Sequence, residues 1–417
     1  MASTSGSASR AEWWALGLAV FMLFMFAQAW VTPLVGDGEK AVGAESNGLV
    51  RALYYPSYVA GLALLWGAFG RTAVALLKSP LLVALVGLAV CSMLWSVDPS
   101  TTMRRGIALV LTTLAGVVLA ARFDWRRLAL VIAITFASLV VLSYIAGAFI
   151  PSLGRMATLF PGAWRGLWAE KNALGGNMAM GCSLFAGAAM LDQRRRWLWA
   201  GFAVLALGLV LLSTSKTSLV ALMLGLAAFG FVWLARRGPV MGVVMVWLAL
   251  VTVGVAAAVM LFAPHLVLDA LGKDATLTGR TKLWESALRQ AKTHPWFGFG
   301  YGAIWDNPDP WAPLAKITRD GGFRAHHAHS SWVEMTLNLG RVGLVTWALY
   351  FLETWTRGAV AVFTRRGAYL ALPFIAVYSL ISLTESITLI WNDIRWVLFV
   401  AFAVKLAIGD RDEPAEA

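Results

Sequence analysis

The sequence predicts an all-α polytopic membrane protein. Of its 417 residues, 59% are apolar and only 13% are charged, whereas soluble domains carry about 25% charged residues. The mean hydropathy is +0.71, and long apolar stretches alternate with short polar connections along most of the chain. The two cysteines, Cys91 and Cys182, both lie in apolar stretches, so the sequence implies no disulfide framework.

The lengths of the apolar stretches predict how many helices cross the bilayer. A spanning helix needs about 20 mostly apolar residues, and this rule predicts about twelve transmembrane helices in one integral membrane domain. That domain covers residues 1–417. We expect the helices near residues 12–31, 51–70, 80–97, 105–121, 128–150, 170–191, 197–213, 217–235, 239–262, 331–355, 367–388 and 393–408.

Lysines and arginines predict the orientation of these helices, because short cytoplasmic loops are enriched in both. With a cytoplasmic N-terminus, the basic connections all fall on one side. They contain Arg71, Lys78, Arg122, Arg126, Arg127, Arg194, Arg195, Arg196, Arg236, Arg237, Arg357, Arg365 and Arg366. We therefore expect both termini in the cytoplasm and residues 263–330 on the opposite side. The net charge of +12 follows largely from this bias, so we expect no nucleic-acid partner.

The longest polar interruption of the apolar pattern lies between Phe262 and Ser331. Long loops are usually functional or disordered. This one contains the histidines His265, His294, His326, His327 and His329, and the cations Lys273, Arg280, Lys282, Arg289, Lys292, Lys316, Arg319 and Arg324. We expect residues 263–330 to form the catalytic loop, with the apolar helices as its scaffold.

Residues 279–293 predict a short amphipathic helix within this loop. Apolar side chains recur at helical spacing: Leu283, Trp284, Ala287, Leu288 and Ala291. Arg280 falls in the first turn, where the helix dipole disfavours a cation. A bound phosphate would reconcile the two, because helix N-termini and arginine both bind phosphate. A solvated arginine is the alternative.

The tract that ends in His326, His327 and His329 admits three interpretations. Histidine-rich tracts bind zinc, but the fourth ligand would have to be Asp320 or Glu334, and we expect no metal. The tract also suits a polar cap for the next helix, with a serine at residue 330 or 331 as N-cap. The third interpretation makes His329 a general base, because imidazole accepts protons near neutral pH. Neighbouring cations would favour its neutral form.

Further cations lie at helix ends on the side of the catalytic loop. Lys171 and Lys216 stand at the ends of apolar stretches, Arg104 and Arg105 begin one predicted helix, and Arg155 and Arg165 lie in the 151–169 connection. Each one alone suits a side chain that reaches lipid headgroups. As a set they favour a shared anionic ligand, because an unpaired charge next to the membrane interior is costly.

Three acids, Glu334, Glu385 and Asp393, lie in or near apolar segments. An acid in such a place is a functional candidate. The interpretation that we prefer is structural, with these acids as ion-pair partners of Arg341 or Arg395.

Several motifs together resemble the O-antigen ligase and O-antigen polymerase family. Residues 328–334 and 338–344 are similar to the family's His-led helix with its Gly-x-x-Gly turn, although Ser330 replaces a more usual Asn. Residues 279–302 resemble its Gly-Arg…Trp…Pro…Gly-x-Gly block. Residues 213–217 resemble its Ser-Arg/Lys segment, and residues 170–172 its Lys-Asn motif. The resemblance is best over residues 165–345, where the order of the motifs is its specific feature.

The resemblance implies glycan transfer from an undecaprenyl-diphosphate carrier at the periplasmic face of the bacterial inner membrane. It also implies a metal-independent, inverting reaction without a cofactor. In the ligase branch, which we favour, the acceptor is lipid A–core. In the polymerase branch the acceptor is another carrier-linked repeat. Membrane lipid would surround the enzyme.

This chemistry assigns expected roles to the candidate residues. Cations must stabilise the leaving diphosphate when no metal does, and Arg280 and Lys216 are the first candidates. His329 is the expected base for the acceptor hydroxyl. The remaining substrate-binding candidates are Lys171, Asn172, Arg165, His326, His327, Arg324 and Glu334.

A transporter of the same lipid is the alternative from a different class. It would place charges near the bilayer midplane in broken helices of two related halves. The sequence contains no such halves, and its charges cluster on one side.

Overall fold

The computed structural model describes residues 10–36, 48–158, 160–263, 280–305, 309, 311–321 and 325–410. Within these ranges the regular structure is α-helical, and the only β-type pairing among them is an isolated bridge between Arg155 and Trp164. The all-α class that the sequence predicts is therefore confirmed for the described residues.

The described residues form eighteen α-helices, joined by turns and two short 3-10 segments. In chain order they are α1 (Arg10–Phe26), α2 (Val31–Val35), α3 (Gly48–Leu53), α4 (Tyr55–Trp66), α5 (Phe69–Leu77), α6 (Pro80–Cys91), α7 (Pro99–Arg122), α8 (Trp125–Phe149), α9 (Pro151–Gly154), α10 (Lys171–Leu191), α11 (Arg196–Leu212), α12 (Lys216–Ala235), α13 (Pro239–Phe262), α14 (Arg280–Ala291), α15 (Pro313–Gly321), α16 (Ser331–Thr364), α17 (Ala368–Thr384) and α18 (Ile394–Ile408).

Six of the described helices, α7, α8 and α10 to α13, are long and apolar enough to cross a membrane. Helices α3 to α5 add a seventh candidate if their bent pair counts as one span. Every apolar stretch that the sequence predicts to be a span is largely helical, but the remaining helices do not meet the same criterion of length and composition. The total of twelve spans therefore stays a prediction.

The helix predicted near residues 51–70 ends at Trp66, and the chain turns by 95° before the next helix begins at Phe69. Nη1 of Arg122 donates a hydrogen bond to the Leu64 carbonyl over a distance of 3.1 Å. A Cβ atom on Gly67 would lie only 2.0 Å from the same nitrogen. A glycine at the bend therefore lets the arginine of α7 reach the end of α4.

Helices α10, α17 and α18 form the most buried part of the bundle, and large aromatic rings fill its centre. The ring of Phe399 lies 4.6 Å from that of Tyr378 and 5.3 Å from that of Trp347, measured between centroids. Only 6% of the apolar window of α13 is buried, as expected for a helix that faces lipid. The site described below lies at the connection between the two buried helices α17 and α18.

Helix α16 is broken at Gly340, whose φ is 62°, and residues 295–300 complete the broken turn. The amides of Arg341 and Val342 donate to the carbonyls of Pro295 and Trp296, at 2.9 and 3.1 Å. The freed carbonyls of residues 337 and 338 accept from the amides of residues 299 and 300, at 2.9 and 3.1 Å. The loop and the helix thus satisfy each other's backbone groups. This exchange fixes the start of α16 relative to the loop.

Within residues 263–330 the described residues form two short helices; α14 packs against α16, and α15 packs against α14. Helix α14 confirms the predicted amphipathic segment, with Leu283, Ala287 and Ala291 buried and Leu288 41% exposed. Helix α15 begins at Pro313 and was not predicted, because its sequence is short and polar. Leu314 and Ile317 of α15 join the buried side chains of α14 in a second, smaller core. His265, Lys273 and Arg324 lie outside the described residues.

Candidate active site

The side chains of His329, Glu385 and Arg280 form one cluster. Nδ1 of His329 lies 3.2 Å from Oε2 of Glu385, and Nη2 of Arg280 lies 3.0 Å from Oε1 of the same carboxylate. Nη1 of Arg280 also donates to the Thr384 carbonyl, at 2.5 Å. Each partner is largely shielded from solvent, with 19–24% of its side chain exposed. The carboxylate therefore joins two residues that the sequence placed in the site.

This arrangement assigns the tautomer of His329. A carboxylate only accepts hydrogen bonds, so Nδ1 of a neutral His329 carries the proton. Nε2 then has the free lone pair and is the basic atom. Cations were expected to keep this histidine neutral, but the charged group in contact with it is the carboxylate of Glu385. Arg280 reaches His329 only through that carboxylate.

Glu385 is an ionised carboxylate held by its neighbours. Burial alone would raise its pKa, but the hydrogen bond from His329 and the nearby Arg280 lower the pKa to about 2. The charged form therefore persists throughout the physiological pH range.

His327 lies against His329, with 3.9 Å between the ring centroids. Nδ1 of His327 accepts a hydrogen bond from the backbone amide of His329, at 3.2 Å. Burial and the neighbouring His329 and Arg280 lower the pKa of His327 to about 3, although Glu385 opposes the shift. His327 is therefore a neutral hydrogen-bonding group.

Ser331, the first residue of α16, fixes the Glu385 segment. Its hydroxyl donates to the Glu385 carbonyl at 3.0 Å and accepts from the amides of Ile387 and Thr388 at 2.9 and 3.2 Å. Ser330 occupies the N-cap position, as predicted, but makes no side-chain capping bond. The histidine tract and the α17–α18 connection are therefore tied together at the start of α16.

The carboxylate of Glu334 accepts hydrogen bonds from four groups. Oε2 accepts from the amide of Ala328 at 2.8 Å and from Oγ of Ser386 at 3.2 Å. Oε1 accepts from Nε1 of Trp305 at 2.5 Å and from Nδ2 of Asn338 at 3.4 Å. None of these donors is an arginine.

The predicted pairing of the three acids is therefore right for one of them. Asp393 forms an ion pair with Arg395, as expected. Glu385 pairs with Arg280 and His329 rather than with Arg341 or Arg395. Glu334 has neutral donors instead.

A central cavity of about 310 Å³ lies beside this cluster. Its wall includes Glu385, Glu334, His326, His327 and Asn172. Apolar and aromatic side chains line much of the remaining wall, as in most small-molecule sites. The cavity therefore joins the histidine tract to the start of α10.

Lys171 and Lys216, which begin α10 and α12, lie in the same region of the structure. Nζ of Lys171 donates to Oγ1 of Thr214 at 3.2 Å, two residues before Lys216. Oγ of Ser215 donates to Oδ1 of Asn172 at 2.9 Å. Asn172 is the link to the central cavity, because it lines the wall and contacts the residue before Lys216.

Arg165 and Arg324 are not placed in the cluster. Arg165 is buried, and it donates to the backbone carbonyls of Leu153 and Ser152 at 2.8 and 2.9 Å. These contacts hold the connection that precedes α10. Arg324 lies outside the described residues.

Among the described residues, His327, His329 and Glu385 have the spacing of a metal site, with one ligand atom from each within 4.8 Å of the others. Ligand atoms of tetrahedral zinc lie about 3.4 Å apart, given bonds of 2.0–2.2 Å. The group would therefore have to contract, and Glu385 already pairs with Arg280. The acids that the sequence suggested as ligands, Asp320 and Glu334, do not belong to this group.

The sequence predicted only part of what three residues of the site do: Glu385 and Arg395 were expected in ion pairs, and Arg105 among the cations at helix ends. Glu385 was interpreted as a structural acid, although an acid between two apolar helices is itself a signal. Arg105 and Arg395 line the central cavity as well. Arg105 donates to the Gly302 carbonyl and lies 4.5 Å above the ring of Trp391.

Part of this chain is similar in sequence to known proteins. Residues 201–348 match the family model described as O-antigen ligase. Over 267 residues the chain is 29% identical to the exopolysaccharide production protein ExoQ of Rhizobium meliloti. The aligned region covers 62% of this chain and spans 60% of that relative. The family match includes Lys216, Arg280 and His329, whereas Glu385 lies beyond it.

Proposed function

We propose that this chain is a member of the O-antigen ligase family, whose model residues 201–348 match, and that it transfers a glycan from an undecaprenyl-diphosphate carrier to a sugar hydroxyl. Membership supports polysaccharide ligase or polymerase activity in a membrane. In this proposal the enzyme lies in the bacterial inner membrane, with both termini in the cytoplasm. The central cavity then opens towards the periplasm.

The pairing of His329 with Glu385 is the observation that carries the proposal. Nε2 of His329 takes the proton of the acceptor hydroxyl as the hydroxyl oxygen attacks the anomeric carbon. The bond from that carbon to the diphosphate oxygen breaks, and its electron pair leaves with the carrier diphosphate. Attack from the face opposite the leaving group inverts the configuration. Glu385 stabilises the imidazolium that forms, as a carboxylate does in a catalytic triad.

Protein cations stabilise the leaving diphosphate in this mechanism. A guanidinium has five N–H donors, and Arg280 directs two of its nitrogens to Glu385 and Thr384. Its other donors remain for a phosphate oxygen. Lys216 and Lys171 form a second cationic group beside Asn172, and Arg165 supports that group by fixing the connection before it. His326 and His327 orient the sugars in the cavity.

The proposed activity has two versions, which differ in the acceptor. We favour lipid A–core, which makes the protein an O-antigen ligase. A polymerase that extends a carrier-linked repeat is the second candidate, because the relative ExoQ is named for exopolysaccharide production.

The test is the carrier-linked product that accumulates in a deletion strain. If the protein is a ligase, its loss leaves long polymer on the carrier and none on lipid A–core. If it is a polymerase, single repeats are still transferred and long polymer disappears. Complementation with wild type restores the original pattern, whereas His329→Ala does not. Unchanged surface glycans in the deletion strain would contradict both versions.

A further inference from the structure

We propose that Glu334 is a positioning residue whose carboxylate holds the backbone from which His329 projects. The proposal rests on the proposed role of His329 as base. It differs from the sequence-based expectation, in which Glu334 contacts the substrate.

The four groups around the Glu334 carboxylate all donate hydrogen bonds. They are the Ala328 amide, the Trp305 indole, the Asn338 amide and the Ser386 hydroxyl. An ionised carboxylate has about four acceptor positions and no donor. It therefore matches this set, and the described contacts occupy its lone pairs. This leaves Glu334 better suited to hold protein segments than to bind a sugar.

The segments that meet at Glu334 are those that build the site. Ala328 belongs to the histidine tract, and Ser386 follows Glu385 in the chain. Trp305 lies at the end of the described loop segment 280–305, and Asn338 lies one turn further along α16. One carboxylate thus fixes the distance between the segments that carry His329 and Glu385.

The peptide groups on both sides of Ala328 are held just before His329. The Ala328 amide donates to Glu334 at 2.8 Å, and the Ala328 carbonyl accepts from Nε1 of Trp284 at 2.8 Å. His329 then has a φ of 50°, in the left-handed region that residues other than glycine rarely adopt. Such a conformation persists only where its surroundings impose it. Glu334 and Trp284 together impose it here, and this conformation directs the imidazole to Glu385.

The main test compares Glu334→Gln with Glu334→Asp and wild type in reconstituted vesicles that contain a lipid-linked donor. The glutamine keeps the shape but turns an NH2 group towards donors. We expect a fall in kcat of about 10-fold or more with little change in either KM, the pattern of a lost transition-state contact. Aspartate keeps the charge, so it should restore part of kcat. A rise in KM with unchanged kcat would show substrate binding and would overturn the proposal.

A second variant tests the hydrogen bond to the carbonyl of Ala328, on the other side of that residue from the amide that Glu334 binds. Trp284→Phe retains an aromatic ring but removes the donor to the Ala328 carbonyl, without touching Glu334. We expect a smaller fall in kcat, again with unchanged KM. Wild-type kcat in both folded variants would contradict the positioning role.

A chemical measurement distinguishes a failure of the positioning role of Glu334 from a failure of the proposed role of His329 as base. Diethyl pyrocarbonate modifies accessible imidazoles, and mass spectrometry reports the rate at each histidine. In Glu334→Gln the rate at His329 should change while the rate at His294 stays constant. A changed rate together with an active His329→Ala enzyme would keep the positioning role and reject His329 as base. Equal rates at His329 in both proteins would reject the positioning role itself.

Discussion

Glu385 accepts a hydrogen bond from Nδ1 of His329 across a sequence separation of 56 residues. The same carboxylate pairs with Arg280 through its other oxygen. The proposed base and the proposed phosphate-binding cation are therefore held by one acid.

Replacement of His329 should abolish the basic group. We expect His329→Ala to lower kcat by about 100-fold or more, which is the usual contribution of a general base. The protein should still insert into the membrane and elute as a single species. Activity is measured with a lipid-linked donor in vesicles. His294→Ala is the matched control, because His294 is exposed and contacts Phe299 rather than the cluster; equal losses in the two variants would reject a special role for His329.

Removal of the Glu385 charge should weaken the base without removing it. In Glu385→Gln the amide retains the shape but no longer stabilises an imidazolium, so we expect kcat to fall by about 10- to 100-fold. Glu353→Gln serves as control, because Glu353 is also paired with an arginine, Arg357, but lies on α16 away from the histidines. A wild-type kcat in Glu385→Gln would show that the pairing of His329 with Glu385 does not contribute to catalysis.

We expect the planar geometry of the Arg280 guanidinium, and not only its charge, to contribute to activity. Lysine keeps the charge but loses the planar fork that reaches a carboxylate and a phosphate together. We expect Arg280→Lys to lower kcat/KM by about 10-fold or more, equivalent to about 1.4 kcal/mol. Arg289→Lys is the control on the same helix, because Arg289 is exposed and pairs with Asp320. Similar effects of the two substitutions would favour a general electrostatic contribution of α14.

The neutral state of His327 should make the fold sensitive to acid. Burial, His329 and Arg280 hold its pKa at about 3 in the folded protein, whereas an unfolded histidine has a pKa of about 6.5. Between these values the unfolded chain binds the extra proton, so the free energy of unfolding decreases as pH falls from 6.5 towards 3. Glu385, with a folded pKa of about 2, adds a loss of the same sign below about pH 4.5.

Thermal unfolding in detergent at several pH values checks this prediction. His327→Asn removes the titrating group, and its Tm should depend less on pH between 6.5 and 5 than that of wild type. His294→Asn should retain the wild-type dependence. An identical pH dependence in His327→Asn would show that other groups govern acid stability.

Transfer should continue in a strong chelator. The proposed mechanism uses Arg280 and the lysines for the diphosphate, and the ion pair between Arg280 and Glu385 competes with a metal at His327 and His329. We expect equal rates before and after dialysis against EDTA, measured with the same vesicles. Loss of activity that zinc restores would instead assign these three residues to a metal centre.

Sequence alone determined the class of the protein and much of the candidate site. The apolar stretches are long enough to be recognised by length and composition, and they predicted an all-α membrane protein. Local motifs pointed to Arg280, His329 and the two lysines, because each motif is short and continuous in sequence. The amphipathic helix at residues 280–291 was also predictable, since its buried positions recur with helical spacing.

Only the tertiary structure decided what these residues contact. The partner of His329 is Glu385, which lies in the connection between α17 and α18, 56 residues further along the chain. Glu334 accepts hydrogen bonds from four neutral donors instead of pairing with an arginine. The bend at Gly67 and the exchange of backbone bonds at Gly340 also depend on remote segments. A side chain's chemistry can be read from its identity, but its hydrogen-bond partner is set by the packing of segments that are distant in sequence.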